Sequence, residues 1–384
     1  MEVYFDNSAT TRCYESVKDI VVKTMMEDYG NPSAMHRKGV EAENYVKKSA
    51  GIIAGILKVQ EKEILFTSGG TESNNLALIG AAMANRRSGN HIVTTVVEHA
   101  AVSQPAAFLQ EQGFEVSYVP VDNQGMIKLD ALKSVLRPDT ILVSVMYVNN
   151  EVGAVMPVEE IGKLVHELSP KALFHVDAIQ AFGKYRIHPR KAGIDLLSVS
   201  GHKIHGPKGV GFLYISEKAK VQPLILGGGQ QNGMRSGTDN VPGIAGLGAA
   251  AEEIYRNLEK NNEHLYSLKE YIAKGLERIP DIRINGMPLR EGAPQILSIS
   301  VMGVRSEVLL HALEDREIYV SAGSACSSHK RKPSATLSAM GMSGDQIEST
   351  VRLSFSESNT IEEADCFLRA MEELVPMLRR YSRR

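Results

Sequence analysis

Glu63-Ile-Leu-Phe-Thr67-Ser-Gly-Gly-Thr71-Glu-Ser-Asn74 is the stretch that decides the fold. Glu63 to Thr67 is strand-sized and apolar, Ser68-Gly-Gly is a turn, and a helical pattern starts at Thr71 and runs to Arg87. Outward from this unit the alternation repeats. Strands are predicted at His91–Val97, Phe114–Val119, Thr140–Val148, Ala172–Val176 and Asp195–Ser200, with helices at Ala100–Gln112 and Val158–Leu168. Strands that are nearly continuous apolar runs, joined by helical crossovers, imply an α/β fold with a mainly parallel sheet flanked by helices on both faces.

From about Asn240 the character changes. Two long helical patterns, Ile244–Lys260 and Glu263–Glu277, lead into strand-like runs at Ile296–Val301, Ile318–Val320 and Val351–Phe355 and a last helix from Ile361 to about Leu374. These read as a smaller α+β unit. The expected division is a large domain over residues 14–257 and a small domain made of residues 1–13 and 258–384. There is no internal repeat and no low-complexity tract.

Composition bounds the function. With 384 residues, 43% of them hydrophobic and 23% charged, the chain is long enough for one large and one smaller core. A net charge of −2 supplies no global basic field, so nucleic acid is not expected to be a direct substrate. Two local basic runs, His329–Lys332 and Arg379–Arg384, read first as solvated surface. The longest apolar runs, such as Ile141 to Val148, fall far short of the roughly 20 residues that span a bilayer. The first residues, Met-Glu-Val-Tyr-Phe-Asp6, lack the pattern of a secretion signal, so the cytoplasm is the expected compartment. Three cysteines, Cys13, Cys326 and Cys366, are too few for a disulfide framework or a Cys-rich zinc site.

In open α/β sheets ligands sit beyond the carboxyl ends of the strands, and the polar motifs fall there. Gly70 and Thr71 lie in a glycine turn that opens a helix, a place suited to one phosphate, though a capped helix fits the same residues. No Walker A loop and no Gly-x-Gly-x-x-Gly fingerprint accompanies it. Glu98-His99 ends the next strand, where an imidazole can lie on an aromatic ring or shuttle protons. Asn149-Asn150-Glu151 offers amides but is also turn-forming.

Next come His175-Val-Asp177-Ala-Ile-Gln180 and Ser200-Gly-His202-Lys203-Ile-His205-Gly-Pro-Lys-Gly209. They put a lone carboxylate and a lone lysine where a pyridoxal phosphate enzyme needs them: Asp177 to keep a pyridine nitrogen protonated, Lys203 to hold the aldehyde. Read singly, Asp177 also fits a helix cap and Gly-His-Lys a turn. A zinc reading of His202 and His205 lacks a third ligand. Gly227-Gly-Gly-Gln-Gln-Asn-Gly-Met-Arg235-Ser-Gly-Thr238 is a second candidate anion loop or a flexible linker. Arg352 could clamp an amino-acid carboxylate, or form a plain surface ion pair on its strand. Cys326 stands in Ser321-Ala-Gly-Ser-Ala-Cys326-Ser-Ser-His329, a run of small residues suited to an exposed, reactive thiolate. Cys366 reads as core packing in an amphipathic helix, and Cys13 has no context that favours reactivity.

Taken in order, ten segments resemble the cysteine desulfurases, the class-V branch of fold-type-I pyridoxal phosphate enzymes. They are Tyr4-Phe-Asp-Asn-Ser-Ala-Thr-Thr11, Gly30-Asn-Pro-Ser33, Thr67-Ser-Gly-Gly-Thr-Glu-Ser-Asn74, Glu98-His99, Val148-Asn-Asn-Glu-Val-Gly153, His175 to Gln180, Ser200 to Gly209, Met234-Arg-Ser-Gly-Thr238, Gly323-Ser-Ala-Cys326 and Val351-Arg-Leu-Ser354. The resemblance covers nearly the whole chain. It implies Lys203 as the lysine bound to the cofactor, Asp177 on the ring nitrogen, Gln180 on the ring hydroxyl and His99 stacked over the ring. Gly70, Thr71, Ser200 and His202 would hold the phosphate, joined by Thr238 from the other subunit of a homodimer. Asn150 and Arg352 would bind the substrate carboxylate, with Asn31 beside them.

The activity so implied is conversion of L-cysteine to L-alanine, with sulfur passed to Cys326 as a persulfide and on to an acceptor protein for iron–sulfur cluster assembly or tRNA thiolation. Lys203 would move the α-proton and His99 would serve as acid and base near the sulfur. The short segment between Cys326 and Arg352 resembles that branch. The chain departs from it after the cysteine, where Ser-Ser-His-Lys-Arg-Lys-Pro-Ser334 stands in place of an acidic Glu-Pro-Ser version, which leaves the acceptor open. An aminotransferase, a β-lyase or a selenocysteine lyase of the same fold is the competing expectation.

Overall fold

The computed structural model describes residues 1–322 and 333–382. Cys326 and the basic run 329–332 lie outside the described residues, as do residues 383–384.

Thirteen described strands follow one another as β1 (Val3–Tyr4), β2 (Ile64–Thr67), β3 (His91–Thr95), β4 (Glu115–Val119), β5 (Thr140–Met146), β6 (Leu173–Asp177), β7 (Leu196–Ser200), β8 (Gly211–Ile215), β9 (Ile282–Asn285), β10 (Ile296–Val301), β11 (Ile318–Tyr319), β12 (Ser321–Ala322) and β13 (Thr350–Ser354). Seven of them form the central sheet in the order β2-β8-β7-β6-β5-β3-β4. β7, β6, β5, β3 and β4 are joined by parallel pairings, and β8 runs antiparallel to both β2 and β7. Six strands therefore point the same way, and their carboxyl ends gather on one edge. Every residue of β5, β6 and β7 is buried, as two-faced helical cover requires.

The parallel reading holds, with β8 as an addition that the alternating pattern did not suggest. Val210-Gly-Phe-Leu-Tyr-Ile215 is apolar and strand-sized, but it follows β7 by a short turn and not by a helix, so it returns antiparallel. The helix expected over Thr71–Arg87 begins at Gly70 and runs as Gly70–Asn75, a wider π turn Leu76–Gly80 and Ala81–Asn85. The two later helices break at Asn257, earlier than expected, where φ is −119°. The last helix, Ile361–Ser382, extends past Leu374.

A second, four-stranded antiparallel sheet has the order β12-β13-β10-β9, and β1 pairs with β11. Its apolar cluster joins Val3 and Phe5 to residues between Leu265 and Val375, with Phe5 edge-on to Phe355 at 5.1 Å. A separate cluster fills the space between the central sheet and helices such as Val158–Leu168, whose Val158, Ile161 and Val165 form a buried stripe. The N-terminal strand thus belongs to the second cluster, while the residues just after it, 6–11, cross to the carboxyl edge of the central sheet.

Candidate active site

β2 delivers Ser68-Gly69-Gly70-Thr71 into the helix that starts at Gly70. Gly69 has φ +149°, a conformation side chains disfavour, and a Cβ on Gly70 would lie 2.2 Å from Ile179 Cδ1. Gly69 supplies the backbone conformation of the turn, and Gly70 lets the loop lie close against the Ile179 side chain in the turn after β6. Glu72 reaches back to accept from the Ser68 N–H at 2.7 Å, closing the loop. Together with Ala9, Thr10, Ser200, His202 and Lys208, the loop lines a cavity of about 400 Å³. Lysine, hydroxyls and N–H groups make it a receptor for an anion. His202 Nδ1 meets Thr10 Oγ1 at 3.2 Å, and burial, with Lys203 and Lys208 nearby, pushes its pKa down to about 4. It faces the cavity as a neutral ring.

Asp177 ends β6 and is buried. Its Oδ2 accepts from Asn74 Nδ2 at 2.8 Å and its Oδ1 from the Ile179 N–H at 3.0 Å. Burial raises its pKa against those donors and against the nearby His99 and Lys203. A protonated ring nitrogen brought here would complete its solvation and keep it ionised. Two residues earlier, His175 is held between Ser144 of β5 at 2.8 Å and Ser198 of β7 at 2.9 Å, and burial lowers its pKa to about 3. It stitches three strands beneath the site and is not available for chemistry.

Lys203 stands in the turn after β7, next along the sheet from Asp177. Its Nζ donates to the Ser8 carbonyl and, at 2.7 Å, to the Ala9 carbonyl. Gln180 Nε2 donates to the same Ser8 carbonyl at 3.0 Å, so amine and amide converge on one oxygen. His99 caps the helix Ala100–Glu111, its Nδ1 accepting from the Ala101 N–H at 3.1 Å. The network therefore assigns the proton of the neutral ring to Nε2, and burial together with Lys203 keeps the ring neutral although Asp177 opposes them. Beside it Glu98 accepts from Thr95 Oγ1 at 2.6 Å and from the Met146 N–H at 3.0 Å. Burial pushes its pKa up to about 8, with Asp177 adding to the rise.

Arg352 on β13 is buried, which disposes of the surface-pair reading. Its Nη1 donates to the Asn150 carbonyl at 2.7 Å and its Nη2 to Asp6 Oδ1 at 2.8 Å, while Nε is buried without a partner among the described residues. That orphaned N–H is what an incoming carboxylate would satisfy. Asn149 spends its amide on the turn, accepting from the Glu151 and Val152 N–H groups at 2.9 and 3.0 Å.

Gly70, Thr71, Ser200 and His202 line the cavity; Lys203 reaches it through the Ala9 carbonyl and meets Gln180 at Ser8, Asp177 and His99 lie within electrostatic range of Lys203, and Arg352 is held by Asn150 and Asp6. The cavity does not include Asn31, which is exposed and whose Oδ1 accepts from the Ser33 N–H at 2.9 Å. Thr238 is exposed and does not line the cavity of its own chain. Cys13 is exposed, and Cys366 packs partly buried on the second cluster. Sequence reasoning missed Asn74 and the segment 6–11, whose Asp6, Ser8, Ala9 and Thr10 touch Arg352, Lys203, Gln180 and His202. Among the described residues no group of three or more His, Cys, Asp or Glu side chains could hold a metal ion, and no helix is long and apolar enough to cross a membrane.

The family model of the class-V aminotransferases matches residues 3–367. The chain is 43% identical over 380 residues to the cysteine desulfurase IscS of Methanosarcina thermophila, covering 99% of this chain and 93% of the relative. It is 42% identical over 378 residues to the putative cysteine desulfurase IscS 1 of Bacillus subtilis, covering 98% and 99%. A solved NifS-like protein, 39% identical, superposes with a TM-score of 0.93 over 98% of this chain and 100% of that one.

Proposed function

Because the chain belongs to the class-V aminotransferase family, we propose that it is a pyridoxal phosphate-dependent cysteine desulfurase. The observation that carries this reading is the convergence of a buried carboxylate, a lysine amine and an anion cavity on neighbouring strand ends, with a buried guanidinium beside them. The cofactor fits these residues. When bound it supplies an aldehyde for the substrate amine and a ring that accepts the electron pair left at Cα.

The chain's own residues do the rest. Gly70, Thr71, Ser200 and His202 bind the phosphate, Asp177 receives the ring N–H, and Gln180 donates to the ring hydroxyl. Arg352 and Asn150 orient the substrate through its carboxylate, while Asn31, exposed and outside the cavity, takes no part within its own chain. Lys203 Nζ takes the proton from Cα. His99 exchanges protons at the sulfur through Nε2, since Nδ1 is tied to the helix. The Cys326 thiolate takes the sulfur, so that L-cysteine and the Cys326 thiol give L-alanine and a Cys326 persulfide, with no external oxidant. The persulfide then serves a protein acceptor for iron–sulfur assembly or tRNA thiolation. A reducing cytoplasm suits this thiol, and the described cysteines are free.

A homodimer is supported by exposed apolar side chains at Met25, Met26 and Met35 and at Leu224 to Leu226, where Leu226 is 80% exposed. Thr238 then reaches the partner's phosphate site. The cluster that joins Val3 and Phe5 to residues between Leu265 and Val375 supports a small domain over 1–13 and 258–384 beside a large one over 14–257, with Ala293, Ile296, Leu337 and Met340 of the small domain packing on the core of the large one. The test is to incubate the protein with L-cysteine and a thiol reductant. Alanine and sulfide in equal amounts, lost in Cys326→Ser, are expected; pyruvate, a keto acid, or activity indifferent to Cys326→Ser would overturn the reading.

A further inference from the structure

The loop that carries Thr238 is fastened to the phosphate loop of its own chain. Arg235 donates from Nε to Glu72 Oε1 at 3.0 Å, and Glu72 is the residue that closes the phosphate loop on the Ser68 N–H. Burial would raise the Glu72 carboxyl, but the hydrogen bonds from Arg235 and Ser68 outweigh it and hold the carboxyl below its ordinary value. A second fastening lies one step away. Gln231 accepts from the Phe66 N–H at 2.7 Å and donates to the Phe66 carbonyl at 2.9 Å, so its amide pairs with edge strand β2 as another strand would. Behind the loop is a cavity of about 870 Å³ between Gln230–Asn232 and the helix Arg37–Leu57, lined by Glu43 and Val46. On this side of the loop the fastenings among the described residues are those two, while Met234 packs on the central-sheet core and Ser236 ties the loop to Ile225.

We propose that Glu72 and Arg235 are positioning residues that act across the dimer: the pair ties each subunit's phosphate loop to the threonine it lends to the partner. This rests on the shared-site reading of Thr238 given above. An ion pair with side chains only 15% and 23% exposed is directional and weakly screened, and it lies three residues before Thr238. Loosening Glu72 thus loosens a contact in the other subunit's site, which it never touches.

Mixed dimers test this. One subunit is unaltered; the other carries Lys203→Ala, so only the first can give the visible absorption of a lysine-bound cofactor. Pyridoxal phosphate is titrated into the apo dimer and its dissociation constant is read at the unaltered subunit. Adding Glu72→Gln or Arg235→Gln to the Lys203→Ala chain is expected to weaken that affinity about tenfold, the size of one charge-assisted hydrogen bond. Thr238→Ala in the same chain is expected to do likewise. If Thr238→Ala acts while both pair variants leave affinity within about twofold, the positioning link is wrong and the shared site stands. If Thr238→Ala has no effect, the shared site falls and the link with it.

Discussion

Around Asp177 the hydrogen-bond partners belong to the central sheet and its connections: Asn74, 103 residues away in the helix after edge strand β2, and the N–H of Ile179 from its own turn. Around Arg352 they come from far along the chain, Asn150 at a separation of 202 residues and Asp6 at 346. The first region is a floor built by the strand ends themselves. The second is a rim in which β13 of the small sheet is joined to the turn after β5 through Asn150 and to the N-terminal segment through Asp6. Each has its own failure. Damage to the floor should stop chemistry on bound substrate, whereas damage to the rim should weaken substrate binding.

The largest effect tests the floor. Lys203→Ala removes the group that moves the Cα proton, and alanine formation at saturating L-cysteine should fall by at least about 10³-fold, within the range for loss of a general base. A fall of less than tenfold would remove Lys203 from that role. The rim comes next. Arg352→Lys keeps the charge but loses the fork, so KM for L-cysteine should rise about 10- to 100-fold with a much smaller change in kcat. Equal loss in both constants at low and high cysteine would mean that Arg352 acts on chemistry, and the division between floor and rim would fail.

Asp6→Asn probes the rim more finely. The amide keeps an oxygen to accept from Arg352 Nη2 but removes the charge that holds the guanidinium. Positioning by Asp6 predicts a KM raised about fivefold, a modest share of one charge-assisted hydrogen bond. A lowered KM would show instead that Asp6 competes with the substrate carboxylate for the same N–H groups.

The same contrast explains what was legible in the sequence. Asp177, His202 and Lys203 are chemically distinctive residues placed just after apolar strands, so the strand pattern and the residue types together located the floor. No such signal marked Ser8 and Ala9, whose carbonyls accept from Lys203, or Asn150, whose carbonyl accepts from Arg352, because every residue possesses a carbonyl oxygen. Asn74 lay inside the first quoted stretch, yet nothing in the sequence marked which face of that helix would meet Asp177, 103 residues away. β8 was missed because its partners are set by a return turn and not by the repeating crossover. Gln231 and Arg235 became anchors only once the fold brought them to residues 165 and 163 positions away.

The smallest effect falls between the two regions, at Glu98, which is followed by His99 and is bonded to β5 through the Met146 N–H. Its pKa rises from the ordinary carboxyl value of 4.5 to about 8, chiefly through burial. The folded protein therefore holds a proton on Glu98 that the unfolded chain releases between about pH 4.5 and pH 8. Folding stability from this group is full below the lower value and is lost as pH rises toward the upper one. Glu98→Gln keeps an oxygen for Thr95 and Met146 and cannot ionise. The Tm of Glu98→Gln relative to the unaltered protein should thus be higher at pH 8.5 than at pH 5.5, by about 2 °C or more. Parallel Tm curves across that interval would mean that Glu98 is ionised in the folded state. A carboxylate would then stand beside His99 and Asp177, and His99 would have a charged neighbour able to favour its protonated form.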